Sequence, residues 1–125
     1  MNPNEISGQI VDAAMKVHTA LGPGLLESAY EGCLAYELRK RGLKVAVQVG
    51  LPVVYEGVNI DVGYRIDLLV EDVVIVELKS LDKLAPIHEA QLLTYLKLSG
   101  KRLGLLMNFN VVHLKDGIKR MVNNL

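Results

Sequence analysis

Three charged side chains interrupt two apolar runs of the sequence. Asp67 lies within residues 63–70, and Glu77 and Lys79 lie within residues 73–79, and both runs are rich in Val, Ile and Leu. Buried strands rarely carry charged residues, and an ion that is buried without a partner is costly. These three groups therefore need partners or a metal ion, and a local conflict of this kind is typical of a functional site.

The spacing of the charges limits which of them can meet. Glu77 and Lys79 are two residues apart on a strand, so their side chains share one face. A two-residue turn at 71–72 would pair Asp67 with Val76 and put Glu77 on the other face. A three-residue turn or a bulge would set Asp67 opposite Glu77, with Cβ atoms about 5 Å apart. The pattern leaves both registers open.

The residue types indicate metal-assisted chemistry. Two carboxylates at that distance repel each other unless a cation lies between them, and hard oxygen ligands favour Mg²⁺ or Mn²⁺ over zinc. Lys79 beside such an ion could orient or deprotonate a water molecule, or hold a phosphate. The simpler interpretation is an internal ion pair between Glu77 and Lys79 on an exposed strand.

Composition limits the class of protein. The 125 residues are expected to form a single domain, half of them are hydrophobic, and the net charge is zero. The surplus of apolar residues suggests a homodimer. One cysteine, Cys33, excludes an internal disulfide and fits a cytoplasmic location. No apolar run approaches the roughly 18 residues that span a membrane, and the first residues do not resemble a signal peptide.

Helix and strand patterns predict a mixed α/β sandwich in the order α-α-β-β-β-α-β-β. Helices are expected from Pro3 to about residue 21, from about residue 25 to 41 with Cys33 buried, and from Pro86 to residue 99. The first predicted strand region is the Val-rich run 44–55, where Pro52 indicates an edge or a strand end; a turn follows at 56–57, and residues 58–61 extend a neighbouring strand. The other predicted strands are the two runs of the hairpin, 103–109, and 118–122 in a segment whose pattern allows either a hairpin or a frayed helix.

Two motifs in the sequence resemble a known nuclease superfamily. Asp67 followed by Glu77-Leu78-Lys79 is similar to the PD-(D/E)xK motif, with Ile66 in place of the usual proline. Residues 24–30, GLLESAY, match the motif that names the GxxExxY protein family. Further matches are residues 21–24, 88–96 and 104–109. The chain is identified as a member of that family, which is grouped with the PD-(D/E)xK nucleases.

The resemblance implies a restriction-endonuclease-like fold and a set of residue roles. A divalent ion, Mg²⁺ or Mn²⁺, would be held by Asp67, Glu77 and the backbone carbonyl of Leu78, with Glu27 contributing from the second helix. Lys79 would position the attacking water. Gln91 and Tyr95 resemble a Q-x-x-x-Y element that contacts substrate. The expected catalytic residues are Glu27, Asp67, Glu77 and Lys79, and the expected substrate contacts are Tyr30, Gln91 and Tyr95.

These implications lead to two functional hypotheses. The first is a metal-dependent nuclease acting on DNA, with no membrane partner. The alternative is a non-catalytic module that keeps the nuclease fold and binds nucleic acid or protein. Basic clusters at residues 39–44, 97–102 and 115–120 are candidate phosphate contacts, although such clusters are usually solvated.

Overall fold

A five-stranded mixed sheet with helices on both faces forms the centre of the computed structural model, which describes residues 1–125. The helices are α1 (Pro3–Leu21), α2 (Glu27–Lys40) and α3 (Pro86–Ser99), with a single 3-10 turn at Leu114–Gly117. The strands are β1 (Val45–Gly50), β2 (Val53–Tyr55), β3 (Val58–Ile60), β4 (Arg65–Val70), β5 (Val74–Lys79), β6 (Leu103–Asn108) and β7 (Ile118–Val122). The predicted α/β class is confirmed.

The order of the main sheet is β1-β4-β5-β6-β7. Strands β5 and β6 are parallel, and α3 makes the crossover between them, whereas every other neighbouring pair is antiparallel. The central strands are covered on both faces, which is why β6 is buried at all of its positions and reads as a continuous apolar run.

Each face of the sheet packs against its own helices. On one face α1 and α2 bury Ile10, Leu34 and Leu38 against the sheet, in the larger of the two apolar clusters. On the other face α3 buries Leu92 and Leu96 in a smaller cluster. The charged positions of β5 therefore lie between two apolar layers.

Local signals account for the helix ends. The Asn2 side chain accepts a hydrogen bond from the Glu5 backbone N–H at 2.8 Å, and Pro3 occupies the first turn, as the sequence predicts. Helix α1 ends at Gly22, whose φ of 71° is one that other residues rarely adopt. The α3 boundaries at Pro86 and Ser99 also agree with the prediction.

The strand count before α3 differs from the prediction. Residues 45–60 contribute three strands, because β1 ends at Gly50 and the hairpin β2–β3 forms a separate two-stranded sheet. Pro52 has no N–H to donate to a ladder, so the chain leaves the main sheet there. The predicted strand end at Pro52 and the turn at 56–57 agree with the structure, whereas residues 58–60 pair with β2 and extend no strand of the main sheet.

The burial of Cys33 was also predicted wrongly. Cys33 is exposed, because the buried face of α2 is formed by Tyr30, Leu34 and Leu38, which repeat every four residues. Cys33 lies outside that stripe. No helix of the structure is long and apolar enough to span a bilayer.

Candidate active site

The β4–β5 hairpin has the register that brings Asp67 to Glu77. Val70 pairs with Val74, and Leu68 pairs with Val76, so the turn contains three residues, Glu71 to Val73. Continuing the same register sets Asp67 opposite Glu77. Of the two registers that the sequence left open, the structure has the one with the three-residue turn.

Backbone hydrogen bonds fix both carboxyl groups. The Leu78 N–H donates to Asp67 Oδ2 at 2.8 Å, and the Asp67 N–H donates to Glu77 Oε2 at 3.1 Å. Each acid therefore accepts a bond from the strand that carries the other. These bonds take the place of ladder bonds at the open end of the hairpin, and they hold the two side chains together. Leu78, a predicted metal ligand, is buried, and its N–H is used in this arrangement; the contribution of its carbonyl stays a prediction.

Burial makes Glu77 a weak acid. Only 6 % of the residue is exposed. Desolvation, followed by hydrogen bonding and charge repulsion with Asp67, raises the pKa of Glu77 to about 9, although Lys79 acts in the opposite direction. At neutral pH the Glu77 side chain therefore keeps its proton. A cation placed between the two groups would reverse this balance and favour both carboxylates.

Lys79 is partly buried and forms no ion pair with Glu77. The four salt bridges of the structure join other residues, and Lys79 acts on Glu77 only at longer range, by lowering its pKa. The simple interpretation of the E-x-K spacing as an internal ion pair is therefore not supported. The ammonium group remains available to a ligand.

Glu27 is an exposed residue at the start of α2, near the end of β5. Its Oε1 accepts a hydrogen bond from the Ser80 backbone N–H at 3.3 Å, and the Ser80 hydroxyl donates to the Leu25 carbonyl at 2.6 Å. These two hydrogen bonds connect the start of α2 to Ser80, the residue that follows Lys79. This contact brings the third predicted acid to the same end of the sheet.

Tyr30 has a different role from the one predicted. It is fully buried, its ring stacks on Phe109 with centroids 4.5 Å apart, and its hydroxyl donates to the Gly22 carbonyl at 2.6 Å and accepts from the Leu25 N–H at 3.1 Å. A buried hydroxyl with both partners in the protein is not available to substrate. In the GLLESAY segment the tyrosine therefore holds the loop that leads to Glu27.

Two site residues were missed by the sequence reasoning. Glu31 lies one turn after Glu27, and its Oε2 accepts a hydrogen bond from Gln48 Nε2 at 2.6 Å, while the same nitrogen donates to Asp67 Oδ1 at 3.1 Å. Burial raises the pKa of Glu31, the Gln48 hydrogen bond lowers it, and repulsion from Asp67 and Glu27 raises it further. The i,i+4 spacing from Glu27 was the one signal that could have identified Glu31.

Strand β1 packs against one apolar cluster before Gln48 and against the other cluster after it. The φ of Gln48 is 53°, in the left-handed region, and Val45 packs in the larger cluster whereas Val49 packs in the smaller one. A regular strand would put these two valines on the same face. The irregular backbone at Gln48 therefore directs its amide towards Glu31 and Asp67.

Helix α3 brings Gln91 and Tyr95 to the opposite side of the site. Gln91 Nε2 donates to the Tyr95 hydroxyl at 3.3 Å, and the Tyr95 ring lies 6.0 Å from that of Tyr64. Burial raises the pKa of Tyr95, with further contributions from Glu77 and from Tyr64. Tyr95 therefore lies close enough to the carboxyl pair for the charges of Glu77 and Asp67 to affect its pKa; its contact with substrate stays a prediction.

The donor set fits a hard divalent cation in part. Asp67 and Glu77 supply oxygens at a position where two negative charges are unfavourable without a counter-ion. However, no group of three or more His, Cys, Asp or Glu side chains is arranged to hold one ion. Glu27 is bonded to Ser80 instead, so a third carboxylate would have to turn towards the pair.

The basic clusters are partly occupied by other contacts. Arg41 forms ion pairs with Asp12 at 2.7 Å and with Glu37 at 3.4 Å, and Lys101 pairs with Asp72 at 3.1 Å. These two residues are less available to phosphates than the sequence suggests.

A mixed sheet between helices, with an acid on one strand and E-x-K on the next, defines an α/β protein with a restriction-endonuclease-like fold. The model of the PD-(D/E)XK nuclease superfamily matches residues 4–121, and the chain belongs to that superfamily. Comparison with curated proteins and with solved structures gave no match.

Proposed function

We propose that this protein is a metal-dependent nuclease that hydrolyses phosphodiester bonds in DNA, and that within its superfamily it belongs to the GxxExxY group. The observation that carries the proposal is the paired arrangement of Asp67 and Glu77, fixed by backbone hydrogen bonds at 2.8 and 3.1 Å. Two carboxylates this close are unfavourable unless a proton or a cation lies between them, so the pair is suited to bind a cation.

The position of each site residue suggests its role in the proposed reaction. Asp67 and Glu77 would hold Mg²⁺ or Mn²⁺, with the Leu78 carbonyl and Glu27 as further ligands; the ion, once bound, would neutralise charge that develops on the phosphate. Lys79 would hold the attacking water, because its ammonium group has no partner in the protein. Gln91 and Tyr95 would contact the substrate from α3.

Cleavage of labelled DNA in Mg²⁺ or Mn²⁺ tests this proposal. Wild-type protein should release shortened products, and Asp67→Asn and Glu77→Gln should each reduce the rate by at least about 100-fold, because each removes a charge that holds the ion. The matched control is Glu56→Gln, an exposed turn residue, which should cleave normally. Cleavage that Glu77→Gln leaves unchanged would contradict the proposal.

One observation favours the alternative of a binding module. Glu27, Asp67 and Glu77 are not assembled into a three-residue cation site. A module of this kind would bind nucleic acid in a salt-sensitive way without binding Mn²⁺. Calorimetric titration with Mn²⁺ separates the two functions, since only the nuclease should show a Glu77-dependent binding heat.

The predicted homodimer and cytoplasmic location are separate proposals. Apolar side chains of the β2–β3 hairpin, including Val54, Tyr55 and Val58, are exposed and could be covered by a second copy. Sedimentation equilibrium of the purified chain would detect such a dimer.

A further inference from the structure

A shallow groove of about 340 Å³ separates α3 from the segment that carries Tyr64. Its walls are mainly apolar, and they include Val53, Ile87 and Leu98. This volume lies at the small end of the range for pockets that enclose small organic ligands, roughly 300–1,000 Å³. No charged side chain lines the groove, so it is unsuited to a phosphate and suited to a flat, neutral group.

The groove offers an aromatic surface. Tyr64 is 44 % exposed, and its ring is tilted by 50° from that of Tyr95, with centroids 6.0 Å apart. Tyr64 is therefore not stacked face to face with Tyr95, and as an exposed lining residue it offers an aromatic group to a ligand in the groove. Nucleobases stack readily on such rings, and they do so with little sequence preference.

Polar atoms are present at one side of the same groove. The Gln91 amide donates one N–H to the Tyr95 hydroxyl at 3.3 Å, which leaves a second N–H and the carbonyl oxygen of the amide unused. Thr94 adds an exposed hydroxyl. Together these groups can both donate to and accept from the edge of a base.

The groove lies on the same face of the sheet as the Glu77 side chain. Ile75 packs with Leu92 and Tyr95 on the α3 face of the sheet, and Glu77, two residues further along the same strand, points to that face as well. Tyr95 therefore contributes to the lining of the groove and also lies beside the strand face that carries Glu77. The charges of Glu77 and Asp67 both affect the pKa of Tyr95, so the groove that Tyr95 lines adjoins the carboxyl pair.

We propose that this groove binds one unstacked nucleobase next to the cleaved phosphodiester, and that the substrate is therefore single-stranded at that nucleotide, as at an end or a flap. The inference rests on the proposed nuclease function. Bases inside a duplex have their faces covered by stacking, so a continuous duplex cannot bring a base face onto Tyr64 without unstacking it.

Binding of fluorescently labelled oligonucleotides, followed by anisotropy with Ca²⁺ in place of Mg²⁺, tests the proposal. The wild-type protein should bind a single strand more tightly than a blunt duplex. An abasic site moved stepwise along the strand should weaken binding at one or two positions only. Tyr64→Ala should weaken single-strand binding about tenfold and remove the effect of the abasic site, whereas Tyr64→Phe should keep both.

The matched control is Tyr55→Ala. Tyr55 lies in β2, nine residues before Tyr64, and is 65 % exposed, but it does not line the groove, so this variant should bind like the wild type. Ile87→Ala, on α3, provides a second variant and should weaken single-strand binding severalfold. Circular dichroism and thermal melting of each variant identify any that fails to fold.

The outcomes separate this inference from the proposed function. If the wild type binds and cleaves DNA but Tyr64→Ala and Ile87→Ala behave like Tyr55→Ala, the inference is overturned and the nuclease function stands. If the wild type neither binds nor cleaves any nucleic acid, the proposed function fails, and the inference fails with it. A change of sedimentation coefficient in Tyr64→Ala would mean that a second copy occupies the groove, which also overturns the inference.

Discussion

Asp67 and Glu77 accept reciprocal hydrogen bonds across the end of the β4–β5 hairpin, from the Leu78 N–H at 2.8 Å and from the Asp67 N–H at 3.1 Å. A backbone N–H therefore positions each of the two carboxyl groups. Because Glu77 is buried beside Asp67, its pKa is raised to about 9, and the pair holds a proton at neutral pH. A cation that binds between the two groups would therefore displace the proton of Glu77.

Replacing Glu77 with glutamine should stabilise the protein at high pH in the absence of metal. The pKa of Glu77 is higher in the folded state than its ordinary value, so the folded protein binds more protons between about pH 4.5 and 9, and its stability falls as pH rises through that window. A glutamine side chain does not ionise, so the variant does not lose stability over this pH range. At pH 9 we expect Glu77→Gln to be more stable than the wild type by at least about 1.4 kcal/mol, the equivalent of one pKa unit, and at pH 5 nearly equal to it.

Urea unfolding at several pH values measures this effect. Glu56→Gln is the control, because Glu56 is exposed in the β2–β3 turn and should show no pH-dependent gain. A Glu77→Gln variant that is less stable than the wild type at pH 9 would mean that the charge of Glu77 is stabilised by a partner, as in a structural ion pair.

Binding of Mn²⁺ should release protons at neutral pH. Glu77 is protonated in the free protein at pH 7.5 and must ionise to act as a ligand. We expect nearly one proton for each ion at pH 7.5 and about half a proton near pH 9, where about half of the Glu77 side chains are already ionised. Calorimetric titration in Tris and in Hepes, which differ in ionisation heat, gives this number; a buffer-independent heat at pH 7.5 would contradict the expectation.

The hairpin that forms the site could be predicted from the sequence because its pattern is local. Apolar runs, an acidic turn and the E-x-K spacing identify the strands, and the superfamily resemblance assigns the acids. The register could not be predicted, because Glu71 and Asp72, which adopt φ values of 54° and 57°, allow either a two- or a three-residue turn by type alone. In the observed register, with its three-residue turn, Leu68 and Val70 pack into the larger cluster.

Gln48 and Tyr30 show what the sequence could not reveal. Nothing in the Val-rich run of β1 indicates that Gln48 adopts a left-handed backbone, the conformation in which its amide bonds to Glu31 and Asp67. Tyr30 shares a helix face with Glu27, which suggested a shared site, but burial depends on what packs above the helix. Here that neighbour is Phe109, almost 80 residues later in the chain.

Replacing Lys79 with methionine should abolish most catalysis and leave metal binding intact. Methionine keeps most of the apolar stem but removes the charge that would hold the attacking water. We expect the cleavage rate to fall by about 10²- to 10⁴-fold, with Mn²⁺ binding retained and the thermal midpoint unchanged. Lys83→Met, at an exposed position of the following loop, is the matched control for lost charge. Equal activity of Lys79→Met and Lys83→Met would remove Lys79 from the mechanism.

Replacing Tyr30 with phenylalanine should loosen the loop before α2 and, through it, Glu27. The change keeps the ring stacked on Phe109 but removes the hydroxyl that bonds to the Gly22 carbonyl and the Leu25 N–H. The expected loss of stability is about 1–3 kcal/mol, measured as a lower urea midpoint. Tyr36→Phe, where the hydroxyl belongs to a side chain that is 67 % exposed, should lose almost no stability.

If Glu27 takes part in the reaction, Tyr30→Phe should also reduce the cleavage rate at temperatures well below its unfolding transition. A variant that is destabilised but fully active would show that the loop can move without disturbing catalysis, and that Glu27 contributes little to it.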